Sequence, residues 1–142
     1  MKKLILILTT IALVSCSMND DAGDVISHEF ESIKATLPQG EWKVSTMIDG
    51  TTDITAEFES FTFTFNQDGT VVAKNDLLSE QGTWRYSTIA STGEELVFIF
   101  DDMNPFKKLN EAWDIISVRS SVIELRNIGA NNNVELLTFT KL

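Results

Sequence analysis

Hydrophobic and polar residues alternate along much of the chain, most clearly at residues 61–65, where two threonines separate three phenylalanines. A period of two gives one apolar face and one hydroxyl face, which is typical of a half-buried β-strand. The next four residues, Asn-Gln-Asp-Gly, suit a type I turn with a bulge because Gly69 tolerates a positive φ. Val71 and Ala73 then return along the same face, opposite Phe65 and Phe63, so residues 61–75 are predicted to form a β-hairpin.

Six further segments have strand character, and turn residues separate them. They are residues 42–48, 82–88, 94–100, 112–118, 122–127 and 134–141. Short connections without crossover helices imply antiparallel neighbours. With the hairpin this makes eight strands, and we predict an all-β fold, an eight-stranded antiparallel up-and-down barrel, because closure removes both unpaired edges. A two-sheet β-sandwich is the alternative.

One helical segment precedes the strands, at residues 24–37. Its apolar residues recur at steps of four, three and four, which is one face of a helix; they are Ile26, Phe30, Ile33 and Leu37. Asp24 suits the N-cap, and a Pro-Gln-Gly run ends the segment. We therefore predict a short N-terminal helix packed against the barrel, with His28, the sole histidine, on its surface.

The first fifteen residues have the pattern of a signal peptide. Two lysines follow Met1, and residues 4–14 form an uncharged run with small residues at its end. Such a run is too short to span a bilayer as a helix, which takes about 20 residues. A basic start, a short apolar stretch and small residues before a cleavage point are typical of export signals. We predict a signal peptide at residues 1–15.

The residues Leu-Val-Ser-Cys that end this run resemble the lipobox of bacterial lipoproteins. The resemblance implies that the thiol of Cys16 is alkylated by a diacylglycerol and that Cys16 becomes the first mature residue. A free thiol is the alternative, but exported proteins usually keep their cysteines in disulfide pairs, and this chain has a single cysteine. Residues 16–23 are accordingly predicted to be a lipidated tether, followed by one barrel domain at residues 24–142.

The polar residues after Cys16, Ser-Met-Asn-Asp-Asp, are similar to acidic tethers that mark lipoproteins for the outer face of the outer membrane in one group of Gram-negative bacteria. The resemblance implies an outer-membrane protein displayed at the cell surface, with the periplasmic face as the alternative. Loss of residues 1–15 would change the formal charge from −10 to −12, because two lysines and no acids leave. Two acyl chains outweigh the resulting repulsion from an anionic membrane, at about 0.8 kcal/mol per buried methylene.

Residues 38–142 resemble the lipocalin-like domains of small lipoproteins. The resemblance rests on the order of short motifs: Gly40-Glu41-Trp42, which is similar to the Gly-x-Trp motif of lipocalins, then Phe61-Thr62-Phe63-Thr64-Phe65, Asp68-Gly69-Thr70, Gly82-Thr83-Trp84, Ala112-Trp113-Asp114-Ile115 and Leu137-Thr138-Phe139. It implies a barrel that encloses either packed side chains or one small ligand.

The large aromatic residues are the candidates for the barrel interior. The strand pattern turns these inward: Trp42, Phe61, Phe63, Phe65, Trp84, Phe98, Phe100 and Trp113. If these rings form an ordinary packed core, they fill the barrel, because large rings dominate most protein cores. If the rings instead line a cavity, or cup, it would bind a small apolar ligand or a glycan fragment. The predicted ligand-binding residues are then Trp42, Phe63, Trp84, Phe98, Trp113 and Phe106. Phe106 and Leu109, in the loop at residues 101–110, would cover the mouth of that cup.

Two functions therefore remain open: a membrane-anchored binding module for a small ligand, and a structural or protein-interaction module with a filled barrel. No nucleic-acid partner is expected, because the excess of acids gives no basic footprint. We expect no enzyme and no cofactor, since one histidine on a surface helix assembles no nucleophilic triad. We expect no metal either, because Asp101 and Asp102 lack the regular ligand loop of calcium sites.

Overall fold

The structure is a computed structural model that describes residues 32–89, 93–129 and 131–142. The predicted signal peptide, Cys16, the tether, His28 and the first part of the predicted helix lie outside the described residues. Residues 32–36 are helical, and Leu37 N donates to Ile33 O at 3.0 Å. Ile33 and Leu37 are fully buried, as predicted from the helical spacing.

The described residues contain nine strands, which follow one another in antiparallel pairs around a single sheet. They are β1 (Glu41–Asp49), β2 (Thr52–Asp53), β3 (Thr62–Phe65), β4 (Thr70–Lys74), β5 (Ser79–Ile89), β6 (Gly93–Ile99), β7 (Ala112–Arg119), β8 (Val122–Ile128) and β9 (Val134–Lys141). Pairing between β1 and β9 closes the sheet. The predicted eight-stranded antiparallel barrel is thus confirmed, formed by β1 and β3–β9, and the two-sheet sandwich is not the architecture.

Three short elements were not predicted from the sequence. β2 has two residues and pairs with the last two residues of β1. Two single-turn 3-10 helices, η1 (Thr55–Phe58) and η2 (Phe106–Leu109), lie in the connections before β3 and after β6. Each of them buries a phenylalanine, Phe58 in η1 and Phe106 in η2, so both helices add apolar side chains to the core.

The predicted hairpin has the expected register. Phe65 pairs with Val71, and Phe63 pairs with Ala73. Gly69 adopts a φ of +86°, the left-handed conformation that the turn requires. The carboxylate of Asp68 accepts hydrogen bonds from the backbone N–H of Thr70 at 2.9 Å and from its hydroxyl at 2.7 Å. These bonds lower the pKa of Asp68 and fix the turn.

The barrel has two ends that differ in what closes them. At the near end, Trp42 pairs with Lys141, and the segment at residues 32–40 leads into β1. At the far end, Asp49 pairs with Glu135, and the connections that leave β1 and β6 there contain η1 and η2. Apolar residues of these added segments are fully buried at both ends, so the core is capped at each end by side chains from outside the strands.

Candidate functional site

The six residues predicted to bind a ligand are all in the buried core. Trp42, Phe63, Trp113 and Phe106 are 0% exposed, while Phe98 is 1% and Trp84 is 8% exposed. The other rings predicted to face inward, Phe61, Phe65 and Phe100, are buried as well. The strand alternation therefore predicted the burial of the other rings correctly, while Phe106 was predicted to lie in a loop over the mouth of the barrel.

Four phenylalanine rings meet at the barrel axis. The ring of Phe139 lies 5.4 Å from Phe63, 5.4 Å from Phe65 and 5.8 Å from Phe98, measured between ring centroids. The rings come from β9, β3 and β6, and no two of these strands are neighbours in the barrel. Side chains from separated strands touch only by crossing the interior, so the barrel is filled with packed rings at this level. Phe139 was placed on the closing strand by the sequence but was not among the predicted site residues.

The three indole N–H groups bind backbone carbonyl oxygens outside the strands: in the segment before β1, in the β3–β4 turn and in η2. Trp42 Nε1 donates to Leu37 O at 2.9 Å, Trp84 Nε1 to Asn66 O at 3.0 Å, and Trp113 Nε1 to Leu109 O at 3.1 Å. A buried indole usually finds such a partner. The polar atoms of the three tryptophans therefore hold connections in place, and a ligand would have to compete with the backbone for them.

The far end is closed by a plug, which we define as η2 with its buried residues Phe106 and Leu109. The Phe106 ring stacks on Phe100 with centroids 5.3 Å apart and meets the edge of Phe61 at 4.9 Å. Both plug residues are fully buried. The sequence predicted that they cover a mouth, and the structure places them inside the far end, where they are part of the core.

Polar contacts on both sides of the plug hold it in the far end. The side chain of Asn110 accepts from Phe100 N at 2.6 Å and donates to Phe100 O at 2.9 Å. Lys108 Nζ donates to the carboxylate of Asp49 at the end of β1. This hydrogen bond is the main cause that raises the pKa of Lys108, with Glu135 and Glu57 adding to the effect and burial opposing it.

The outer surface carries an open groove of about 510 Å³ beside β1. We call it the seam groove, and its lining residues are Val44, Ser45, Asp53, Thr55, Ala56 and Glu59. It lies between β1 and the connection that contains β2 and η1. This groove was not predicted from the sequence, because its residues come from β1 and from a connection without periodic pattern.

The turn between β4 and β5 presents apolar side chains to solvent at the far end. Leu77 is 96% exposed, and Leu78 is 37% exposed. The amide oxygen of Asn75 accepts from the backbone N–H groups of both leucines, and its amide nitrogen donates to Ser60 Oγ at 3.1 Å. The tip therefore has a fixed backbone with an exposed leucine.

The described residues hold no group of three or more His, Cys, Asp or Glu side chains arranged to bind a metal ion. Asp101 and Asp102 are exposed in the connection that leads to η2. Within the same residues, no helix is long and apolar enough to cross a membrane.

No known family profile matches the chain, and no curated protein matches it in sequence. Two solved structures are similar in fold. A DUF4847 family protein from Bacteroides vulgatus is 15% identical with a TM-score of 0.52, and the match covers 78% of this chain and 97% of that one. A lipocalin-like protein from Bacteroides uniformis is 11% identical with a TM-score of 0.47, covering 74% of this chain and 98% of that one. At these identities the first likeness shows the fold alone, a closed antiparallel barrel spanning nearly the whole of that neighbour.

Proposed function

We propose that this protein is a lipid-anchored, non-catalytic binding module of the bacterial cell envelope. Its lipocalin-like barrel serves as a rigid body that contacts a partner through its outer surface and loops. In this proposal Cys16 carries the lipid, the outer membrane is the site of anchoring, and the domain is displayed at the cell surface.

The observation that carries this proposal is the packing of Phe139 against Phe63, Phe65 and Phe98 at the barrel axis. A ligand bound at this level would have to replace ring contacts, each worth about 0.5–1.5 kcal/mol beyond the burial of apolar area. The cores of proteins are close-packed, and the four rings fit that description. Binding at the outside leaves these contacts intact.

The anchoring part of the proposal is supported by the sequence. The apolar run at residues 4–14 leads directly to the Leu-Val-Ser-Cys motif and to the chain's single cysteine. Changing Cys16→Ser removes the proposed acceptor of the lipid and should release the protein from the membrane fraction. Fractionation with a labelled fatty acid checks this, and persistence of Cys16→Ser in the membrane would contradict the anchor.

Capture of a small apolar ligand is the second candidate, and the plug favours it. Phe106 and Leu109 come from a single connection, so one movement of η2 would open the far end. The movement would break the Lys108–Asp49 contact and the bond from Trp113 to Leu109. A ligand able to offset these losses would bind among the residues first predicted to form a cup, Trp113 and Phe98 included.

Native mass spectrometry of the full chain, purified from membranes in mild detergent, separates the two candidates. The proposed function predicts that the chain carries its own acyl chains and no second small molecule in stoichiometric amount. One co-purified apolar molecule or glycan fragment per chain would support the cup instead. A Phe106→Ala variant serves as the matched control, because an opened far end should then take up detergent or lipid that the unaltered protein excludes.

A further inference from the structure

Along β9, which the structure describes from end to end, no charged side chain faces outward. Leu137 and Phe139 are buried in the core, and the residues that alternate with them are at least partly exposed on the outside of the barrel. These outward residues are Val134, Leu136, Thr138 and Thr140. The strand is therefore apolar on the outside toward the far end and bears hydroxyl groups toward the near end.

The two neighbouring strands extend the apolar half at the far end. Ile128 of β8 lies directly opposite Val134, and Ile48 of β1 lies directly opposite Leu136. Residues opposite each other in neighbouring strands share one face of the sheet, so the four side chains form one contiguous patch. Ile128, Val134 and Leu136 are 51%, 44% and 41% exposed. Exposed apolar side chains that occur singly are ordinary, whereas a contiguous patch with a polar border is typical of an interaction site.

Hydroxyl groups form the half of this surface toward the near end. Thr140 Oγ1 donates to Ser45 Oγ at 2.8 Å, and Ser45 Oγ donates to Thr138 O at 3.3 Å. Thr46 lies opposite Thr138. We call the whole surface, the outward residues of β9 with Ile48 and Ile128 and these β1 hydroxyls, the β9 face.

Charged side chains along the β7–β8 border of the β9 face occur in pairs of opposite sign. Arg119 contacts Glu124 at 2.7 Å, and Arg126 contacts Asp114 at 3.3 Å. The chain as a whole has a formal charge of −10, so two copies repel each other on average. The β9 face adds no net negative charge to this repulsion. A second copy can therefore approach here at a lower electrostatic cost than over the acidic remainder of the surface.

We infer that the β9 face binds the β9 face of a second copy of this chain, with the two barrels side by side and parallel. A two-fold axis along β9 brings the apolar half onto the apolar half of the second copy and the hydroxyl half onto the hydroxyl half. A fully overlapping antiparallel pair would instead oppose the two halves.

The parallel arrangement also matches charges across the interface. A two-fold axis along β9 lays β1 of one copy over β8 of the other. Lys43 lies opposite Thr140, and Thr140 lies opposite Val122, two residues before Glu124. Lys43 of each copy therefore approaches Glu124 of the second copy, and the symmetry makes this contact twice.

The interface is a small one. Stable interfaces bury roughly 800 Å² on each partner, which four apolar side chains do not supply by themselves. Two copies anchored in one membrane have a raised effective concentration, so a weak contact is sufficient there. The parallel arrangement suits a shared membrane, because it places both near ends, where residues 32–40 lead into β1, on the same side. The inference goes beyond the proposed function by naming a second copy as a partner, and this strengthening by the membrane rests on the proposed anchor.

Disulfide cross-linking of the full chain in intact cells, with copper phenanthroline as the oxidant, tests the inference. A cysteine near the two-fold axis meets the same cysteine of the second copy, so Leu136→Cys and Thr140→Cys should each give a dimer band on a non-reducing gel. The matched control is Ile99→Cys, which is 55% exposed on β6, a strand that adjoins none of β1, β8 and β9. It should give no more dimer than the unaltered protein.

A charge placed on the axis should separate the two copies. Leu136→Lys combined with Thr140→Cys should lower the cross-linking yield at least about tenfold, because two like charges then face each other. Ile99→Lys combined with Thr140→Cys is the control and should leave the yield unchanged. Thermal unfolding checks that both double variants are folded, and Val134→Lys in the same background gives a second charged variant of the face. An unchanged yield in a folded lysine variant of the face would overturn the inference.

Equal cross-linking of Leu136→Cys and Ile99→Cys would show random collision and would also overturn the inference. A link from Leu136→Cys to a different protein would assign the β9 face to that partner and contradict a second copy. Cross-linking of Leu136→Cys without Thr140→Cys would contradict the parallel arrangement. Failure of the proposed function looks different, since a dimer of the unaltered protein would reveal a free thiol at Cys16 and contradict the lipid anchor, whatever the contrast between Leu136→Cys and Ile99→Cys.

Discussion

The indole N–H of Trp113 donates to the backbone carbonyl of Leu109 at 3.1 Å, which joins β7 to the plug that closes the far end of the barrel. Both residues are fully buried. The same carbonyl also accepts from Glu111 N at 2.7 Å, so loss of the indole donor removes one buried hydrogen bond, worth about 0.5–1.5 kcal/mol, and leaves the acceptor paired.

Changing Trp113→Phe should therefore lower the free energy of unfolding by about 1–3 kcal/mol, with part of the loss due to the smaller ring. Urea denaturation followed by circular dichroism measures the change. Hydrogen exchange at residues 106–110 should also speed up more than exchange in β1, since the plug loses its link to β7. Uniform loss of protection in both segments would contradict a local role for this bond.

Phe139 is the ring on which the filled interior depends. Phe139→Ala removes contacts with Phe63, Phe65 and Phe98 at once and should lower the free energy of unfolding by about 3–5 kcal/mol. The control is Ile99→Ala, which alters a side chain that is 55% exposed on β6 and should change stability by no more than about 0.5 kcal/mol. Similar losses in the two variants would show that the rings do not form a packed core.

Gly82 lies in β5 where another strand leaves no room for a side chain. An added Cβ would be 2.6 Å from Ile99 O and 2.7 Å from Cδ1 of Phe100. Gly82→Ala should therefore destabilise the protein by about 1–3 kcal/mol, the usual range for overpacking. Gly129→Ala is the control, because its Cβ would meet Asn133 O at an ordinary 3.7 Å. Thermal unfolding measures both variants, and Gly82→Ala should have the lower melting temperature. Equal melting temperatures would contradict the tight β5–β6 contact.

The contact between Lys108 and Asp49 gives the plug a pH dependence at the alkaline end. Since the pKa of Lys108 is raised in the folded protein, the pair's contribution to stability is fully present below the unfolded pKa, near 10.5, and is lost as the pH rises through the folded value. The contribution should be at most about 1 kcal/mol, because solvent screens a Lys108 side chain that is 44% exposed.

The Lys108→Met variant should remove this alkaline decline while leaving the stability near pH 7 only slightly reduced. Chemical denaturation at pH 7, 9 and 11 measures both proteins under the same conditions. The exposed Lys107→Met variant is the control and should decline with pH as the unaltered protein does. A decline in Lys108→Met as steep as in Lys107→Met would contradict the role of the pair.

Alternation of apolar and polar residues was enough to predict the barrel strands. In a sheet that surrounds a core, burial of one face determines which side chains of each strand point inward. The phenylalanines at 63 and 65 have this signal, and their register with Ala73 and Val71 was predicted correctly. β2, η1 and η2 have no such period. The two 3-10 helices bury Phe58 and Phe106 in the core of the barrel. This burial requires a closed barrel, so it cannot be predicted from the local sequence.

The features around the candidate site depend on residues far apart in the sequence. Phe139 reaches Phe63 across the axis only because β1 and β9 pair, and Lys108 meets Asp49 over 59 positions. The residue pattern of a single segment carries no information about contacts between such distant positions. The seam groove was missed for a related reason, since it lies between β1 and a connection whose position beside β1 depends on the closed barrel.

Xenon binding, followed by NMR of the full chain in detergent, tests the central claim of a filled interior most directly, because xenon occupies dry apolar cavities in proteins. The filled barrel predicts no xenon-induced shifts at Phe63, Phe65 or Phe98 in the unaltered protein and clear shifts at the same residues in Phe139→Ala. Xenon shifts of equal size in both proteins would show an existing cavity at the axis and would contradict the account.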